Sequence, residues 1–457
     1  MLPDGGGQNM VGGPGATGQP VPFLKGIVAK GLVMQAFLGL AIFCLAAWAI
    51  SENRKVVEWR VLGLGLALQI VLGVVLLKAP GVRDALLYLN VVVIAIRDAT
   101  QAGTGLVFGY IGGSGFAPFE VVNPPGGVVL AFQALPILLV MSALSSLLFY
   151  WKILPLVVRG FSWLLQKTLD VGGAVGVSAA ANVFVGMVEA PLFIRPYMNR
   201  LSRSELFTTM TVGMATIAGT MMVLYAQILE PVLGEQALGQ LLAASIISAP
   251  AAIVISRLMI PETGAKTMGE MVEPHPAQSS MDAITHGALE GLKLWLNIIV
   301  MLIVLVALVS LINQMLAVIP VSVGVGETSA PISLQWLLGC VMAPLVWLMG
   351  VPWSDAFQAG QLMGIKTILN EFLAYLELAR PGVGETLSPG ARLIMIYAMC
   401  GFANLGSLGI MIGGLGTMVP ERRAEIVGLG LRSIVAGTLS TMMTGAVVGI
   451  VVATVGV

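Results

Sequence analysis

The stretch ANVFVGMVEAPLFIRPYMN, residues 181–199, holds a single carboxylate in apolar surroundings. Glu189 has no charged residue within five positions on either side, and Gly186 and Pro191 bracket it. Glycine loosens a helix, and proline removes an N–H and clashes with the preceding turn, so the backbone is expected to break where the acid sits. At membrane depth that combination is doubly unfavourable. Unpaired backbone groups cost several kcal/mol each in hydrocarbon, and an ionised side chain at the bilayer centre costs ~2.5–3.5 kcal/mol on insertion scales. A chain keeps such a feature where protein, water or a solute fills the vacant bonds.

The rest of the chain supplies the membrane. Of 457 residues 57% are hydrophobic and 10% charged, with a mean hydropathy of +0.94, whereas soluble domains carry about 25% charged residues. Apolar spans of ~20 residues, enough to cross ~30 Å of hydrocarbon, recur throughout. The expected fold is an all-α polytopic membrane protein. It has about eight transmembrane helices, two re-entrant helical hairpins and interfacial helices, in an inverted internal repeat. Lys+Arg and Asp+Glu both number 23, so nothing marks a nucleic-acid partner. Cys44, Cys340 and Cys400 lie singly in apolar runs, and His275 and His286 flank a polar linker. Neither set forms a disulfide framework or a zinc motif. Residues 1–22 lack a basic and an apolar region and read as a disordered Gly/Pro-rich tail rather than a signal peptide.

Residues 23–152 read as a scaffold region. Spans at 27–50 and 59–78 are joined by the charged loop SENRKVVE, and 81–99, charged at both ends, suits the membrane interface. A Gly/Pro-rich connection and a span at 131–150 follow. From 153 the apolar stretches are interrupted. Residues 153–260 form the first half of a transport unit: a hairpin broken near Gly186 and Pro191, a span at 204–228 with Thr216 and Gly219 at its centre, and a span at 237–260. A polar linker, 261–285, divides the chain, and 286–318 is a long scaffold helix. Residues 319–457 repeat the order, with an interrupted region at 335–378 bearing Glu371, a glycine-broken span at 391–416 and a last span from about 425. Paired interrupted segments in two halves point to a transporter binding site.

Glu189 and Glu371, brought towards one another by two re-entrant tips, would form an acceptor-rich site suited to a solute with several hydroxyls and a hydrogen-bonding ring. Thr216, Asn404 and Ser407 in the broken spans add polar groups, although Ser and Thr in membrane helices commonly bond their own backbone. Asn182 can join unwound carbonyls around a hard cation such as Na+; a helix–helix hydrogen bond is its structural alternative. Ion pairs of Glu189 with Arg195 and of Glu371 with Lys366 also stay open. Intramembrane aspartyl catalysis needs two Asp, and these are two Glu with no Ser–His or His-metal cluster, so the chain is not read as an enzyme. A passive pore needs a continuous polar path, whereas these polar groups gather at the breaks.

Three stretches carry a specific likeness. GIKTILNEFLAY (364–375) resembles the signature of the concentrative nucleoside transporter family, AANVFVGMVEAPL (180–192) resembles its first hairpin motif, and CGFANLGSLG (400–409) is similar to its second-half broken helix. The likeness covers roughly residues 80–457 and includes MIPETGAK. It implies a multi-pass protein of the cell membrane, for a bacterium the inner membrane, assembled as a homotrimer in lipid. A transport domain would move against the scaffold in an elevator-type mechanism, importing nucleosides. It implies that Glu371, Asn404 and Ser407 contact the ribose, that Phe402 lies beside the substrate, and that Glu189, Met187 and Val188 face the base. It implies Na+ among Asn182, Thr216 and the carbonyls of Val185 and Ile217, and no other cofactor, with H+ as the alternative coupling ion. The family usually has Gln and Thr or Ser before the hairpin glutamate; Met187 and Val188 replace them, which predicts a broader or purine-tilted base pocket.

Overall fold

The computed structural model describes residues 22–114, 119, 129–272, 277–319, 322–323 and 330–455. The tail through residue 21, most of the Gly/Pro-rich connection after Ser114, and His275 lie outside the described residues. Among the described residues seven stretches are long and apolar enough to cross a membrane; one of them, Arg203–Met259, folds as three α-helices.

The first helices are α1 (Pro22–Ala49), α2 (Trp59–Lys78) and α3 (Pro80–Phe108). Helix α3 runs well past the interfacial segment expected at 81–99, and residues 91–112 are long and apolar enough to span. The charge at the C-terminal end of 81–99 is paired: Arg97 donates to Glu230 at 2.9 Å. After α4 (Leu130–Gln133) and α5 (Ile137–Tyr150), amphipathic α6 (Ile153–Leu169) buries Val158, Ser162 and Leu165 and exposes Trp163.

The first interrupted half then reads α7 (Gly173–Asn182), a break, the single turn α8 (Glu189–Leu192), α9 (Arg203–Ala215), a break, α10 (Gly219–Leu233) and α11 (Ala237–Met259). The second repeats that order as α14 (Trp353–Ile368), α15 (Glu371–Ala379), α16 (Pro389–Met399), α17 (Leu405–Met418) and α18 (Arg423–Val455). Helix α11 packs on α9 and α10, α18 packs on α16 and α17, and α11 and α18 pack on each other. Local chemistry sets the ends. Ser202 and Glu205 form a reciprocal capping box that starts α9, and Ser388 caps α16.

Between the halves stands α12 (Ser280–Ala317), 38 residues or ~57 Å at 1.5 Å per residue. It starts at Ser280 rather than 286 because the Ser279 hydroxyl accepts the Asp282 N–H at 3.1 Å. Its most apolar stretch is only 6% buried, against 83% for Arg203–Met259. Helix α12 therefore presents an apolar flank to lipid or to another chain, while α9–α11 form the interior. Gly287 and Gly291, four residues apart, let α12 lie against the α5 backbone; a Cβ on Gly291 would sit 2.9 Å from Leu138 O. A two-residue antiparallel pair, β1 (Ser322–Val323) with β2 (Ala330–Pro331), precedes α13 (Leu334–Trp347).

The region expected as one scaffold at 23–152 divides by its packing. Helix α5 pairs with α12, whereas α1 packs on α18 and α2 on α11. The α1–α2 loop is fastened to the same interior helices: Glu52 accepts from Arg203 at 2.9 and 3.1 Å and also from Arg432. Those bonds hold the Glu52 carboxyl below its ordinary value of 4.5.

The polar linker is docked on the first hairpin. Buried Glu205 accepts both the Thr267 N–H (2.8 Å) and hydroxyl (2.6 Å). Lys266 pairs with Asp170 at 2.5 Å, and the Val272 N–H reaches Phe193 O at 2.9 Å.

Candidate functional site

Four breaks in helical structure, two per half, converge through named hydrogen bonds. In the first hairpin α7 is buried along its length and stops at Asn182. Residues 183–188 follow without an α-helix. The Phe184 carbonyl, freed by that break, accepts the Gly219 N–H at 3.0 Å, so the hairpin bend is stitched to the start of α10. Met187 is buried and Val188 half-buried. Gly213 on α9 makes room for the bend: a Cβ there would lie 2.9 Å from Met187 Cβ and 3.4 Å from Asn182 Nδ2. Gly414 on α17 does the same for Val188, whose Cγ1 would be 2.7 Å from an added Cβ. Glu189 is exposed, unlike the buried Glu371 of the second hairpin. The Glu189 Oε2 and the Ala218 Cβ of the neighbouring break both lie beside Gly186, 2.5 and 3.3 Å from where a Cβ there would sit. Arg195 is exposed.

In the first broken helix, α9 ends and Thr216 is extended, with φ −120° and ψ 169°. The Thr216 hydroxyl donates to Val212 O at 3.0 Å, the backbone-directed bond expected of a membrane threonine; its lone pairs remain as acceptors. The Ile217 N–H donates to Ser245 Oγ on α11 at 3.3 Å. Asn182 faces this region at 1% exposure, and neither its Oδ1 nor its Nδ2 has a hydrogen-bond partner among the described residues. An unpaired buried polar group costs about 1–3 kcal/mol. The helix–helix hydrogen bond that was its structural alternative is therefore not made.

The second hairpin breaks at Leu369 and restarts at Glu371. Asn370 caps the new helix, accepting the Leu373 N–H at 2.9 Å. Glu371 is buried: its Oε1 accepts the Tyr225 hydroxyl at 2.6 Å and its Oε2 accepts Asn404 Nδ2 at 3.0 Å. Asn404 is used at both ends, since its Oδ1 caps α17 by accepting the Ser407 N–H at 2.8 Å. Lys366 is fully buried with no hydrogen-bond partner for its Nζ among the described residues, so it makes no direct ion pair with Glu371. Phe402 lies in the second broken helix, between α16 and α17, and its N–H donates to Thr216 O at 3.3 Å.

The structure thus brings Glu371, Asn404 and Ser407 into one bonded set, and packs Asn182 and Met187 against Gly213 without a hydrogen bond to the Asn182 side chain among the described residues. The Phe402–Thr216 bond joins the two broken helices. Glu189 and Glu371 are not bonded to each other; each meets a different break. Sequence reasoning missed Tyr225 and Ser245, and named Lys366 only as a possible ion-pair partner of Glu371. Tyr225 carried a signal, because a phenol in a helix buried on all sides needs a partner. No group of three or more His, Cys, Asp or Glu able to hold a metal occurs among the described residues.

Three family models match the chain. They are described as the N-terminus (residues 27–111) and C-terminus (240–449) of Na+-dependent nucleoside transporters, and nucleoside recognition (131–232). The chain is 35% identical over 419 residues to the nucleoside permease NupC of Helicobacter pylori, covering 90% of this chain and 96% of that one. It is 34% identical to the mouse sodium/nucleoside cotransporter 1, covering 91% of this chain and 63% of the longer mouse protein. Among solved structures it is similar to CNTnw in an inward-facing substrate-bound state, with a TM-score of 0.82, 34% identity, and 92% and 99% of the two chains covered. A substituted CNTnw in an outward-facing state matches with a TM-score of 0.83, 33% identity, and 93% and 99% coverage.

Proposed function

The chain belongs to the Na+-dependent, concentrative nucleoside transporter family and carries nucleosides with a cation by alternating access; from that premise we propose that Na+ is the coupling ion and that the hairpin tips and broken helices form both sites. The cation is held by Asn182 Oδ1, the Thr216 hydroxyl oxygen and the carbonyls of Val185 and Ile217. The observation that carries this is Asn182, buried with its whole amide unpartnered beside a stretch of unwound backbone. A dehydrated Na+ supplies what that amide oxygen lacks.

The nucleoside binds with its ribose hydroxyls on Glu371 and Asn404, Ser407 completing the set and Phe402 beside the sugar. Two carboxylate oxygens already turned to donors at 2.6 and 3.0 Å form a pre-ordered acceptor for a vicinal diol. The base lies towards Glu189, Met187 and Val188. Met187 and Val188 offer no side-chain hydrogen bond, so this wall discriminates by shape, at ~1–3 kcal/mol per small group. The pocket is accordingly broad or purine-tilted. Competition against labelled uridine by a panel of nucleosides checks this, and strict pyrimidine preference would refute it.

Transport follows from differential affinity, since a ligand shifts an equilibrium only by binding one state better. Na+ orders the 216–218 segment, the nucleoside then meets a formed site, and both leave on the low-Na+ side. The α5–α12 pair acts as the scaffold of a homotrimer, with the broken helices moving past it as an elevator. The test is uptake into liposomes by purified protein under separately imposed Na+ and pH gradients, with a nucleoside and a free nucleobase. Na+-driven, ribose-requiring uptake is expected. Uptake driven by the pH gradient alone would replace Na+ by H+, with Glu189 or Glu371 as the proton carrier.

A further inference from the structure

Ser245 stands where both broken helices meet an unbroken one. It lies in the middle of α11, fully buried, and its Oγ accepts the Ile217 N–H at 3.3 Å. The same Oγ is 3.9 Å from Cys400 Sγ, at the start of the second break. Cys400 Sγ also donates to Leu241 O, one turn earlier on α11, at 3.6 Å. Helix α11 is continuous from Ala237 to Met259 and provides a fixed height for both breaks. A buried backbone N–H needs a partner. Ile217 lies beyond the end of α9, and the Ser245 hydroxyl fills that need from another helix.

The two breaks are also joined to each other. Thr216 O accepts the Phe402 N–H, so the residue beside the proposed sugar site hangs from the segment proposed to hold the ion. Resting on the two sites proposed above, we infer that Ser245 is a positioning residue that links ion binding to nucleoside binding. It pins the 216–218 segment to α11, so that ordering of Thr216 and Ile217 by the ion also sets the position of Phe402. Without the hydroxyl, the segment has slack that absorbs the ion's effect before it reaches the sugar. Each site keeps its own ligands, and what is lost is their mutual dependence.

The experiment measures linkage rather than activity. Nucleoside dissociation constants for purified protein are measured by calorimetry at saturating Na+ and with Na+ replaced by choline. Their ratio is the coupling factor, typically ~5–150-fold for linked sites. In Ser245→Ala the ratio falls by about tenfold or collapses towards one, because affinity at saturating Na+ drops towards the value in choline, which itself stays within about twofold of wild type. Ser248→Ala is the matched control. It removes another buried hydroxyl one turn along α11, bonded to Thr444 on the unbroken α18 at 2.9 Å, and it keeps the wild-type ratio. Should Ser245→Ala not yield monodisperse protein, Ser245→Cys, near in size and a poor acceptor, takes its place with the same expected fall. A wild-type ratio in the Ser245 variant, or an equal fall in Ser248→Ala, overturns the inference. A wild-type protein whose nucleoside affinity ignores Na+ overturns the Na+ reading itself, which is a different result.

Discussion

Replacing Glu371 by Gln tests the sugar site with almost no change in volume. The carboxylate now accepts twice, from Tyr225 at 2.6 Å and from Asn404 Nδ2 at 3.0 Å. Gln offers one acceptor and one NH2 donor. With its oxygen towards Tyr225, the NH2 faces the Asn404 NH2. Asn404 cannot rotate to present its oxygen without losing the cap on α17, made to Ser407 N–H at 2.8 Å. With the amide reversed, the conflict moves to the Tyr225 hydroxyl, which must then turn away. Weakening charge-assisted bonds to neutral ones costs about 1–2 kcal/mol, and the mispaired donor adds about 1–3 kcal/mol. The sum, ~2–5 kcal/mol, is roughly a 30- to several-thousand-fold loss of nucleoside affinity. Calorimetry on the purified variant gives that loss directly, and liposome uptake gives its consequence. A cycle with 2′- and 3′-deoxynucleosides localises it. Removing a hydroxyl should cost wild type more than the variant, because the variant has already lost that bond. Wild-type uptake in Glu371→Gln, or an identical deoxy penalty in both proteins, would remove Glu371 from the sugar site.

Asn182→Ala is expected to raise the Na+ concentration for half-maximal uptake at least about tenfold, since one bond to a charged partner is worth about 1.5–3 kcal/mol; a Na+ titration of uptake checks it, and an unchanged midpoint refutes the assignment. Met187→Gln restores a hydrogen-bonding group to the base wall and should strengthen uridine binding by about 1 kcal/mol, or roughly fivefold, read from competition curves against adenosine. Glu52→Gln addresses the acid limb of stability. The Glu52 pKa is lowered from 4.5 by Arg203 and Arg432, so its stabilisation is complete above that value and is lost as pH falls through the lower folded value. Thermal melts across that window should show a shallower acid decline in Glu52→Gln than in wild type.

The sequence carried the membrane class, the order of the two halves and the places where helices stop. Gly186, Pro191, Gly219 and the Asn370–Glu371 pair are local signals, because backbone breaks are written in residues that cannot continue a helix or that cap a new one. Boundaries were less legible. Helix α12 starts at a serine cap rather than at the edge of its apolar run, and the charged ends of 81–99 concealed a helix continuing to Phe108. Long-range partners were not legible at all. Tyr225 and Glu371 are 146 residues apart, and Ser245 and Ile217 belong to different helices. Such pairings depend on how helices pack, and a single chain read without its packing contains no term for them. The likenesses of GIKTILNEFLAY and CGFANLGSLG to known motifs pointed to Glu371 and Asn404 without indicating that Asn404 also caps α17.

The docked linker also sets a length. Val272 is bonded to Phe193 on the first hairpin, and α12 begins at Ser280, so eight residue steps connect the two. A fully stretched chain advances at most ~3.6 Å per residue, which caps their separation near ~29 Å whatever path those residues take. The covalent leash therefore limits the stroke of the hairpin relative to the long helix, independently of any gate or ligand.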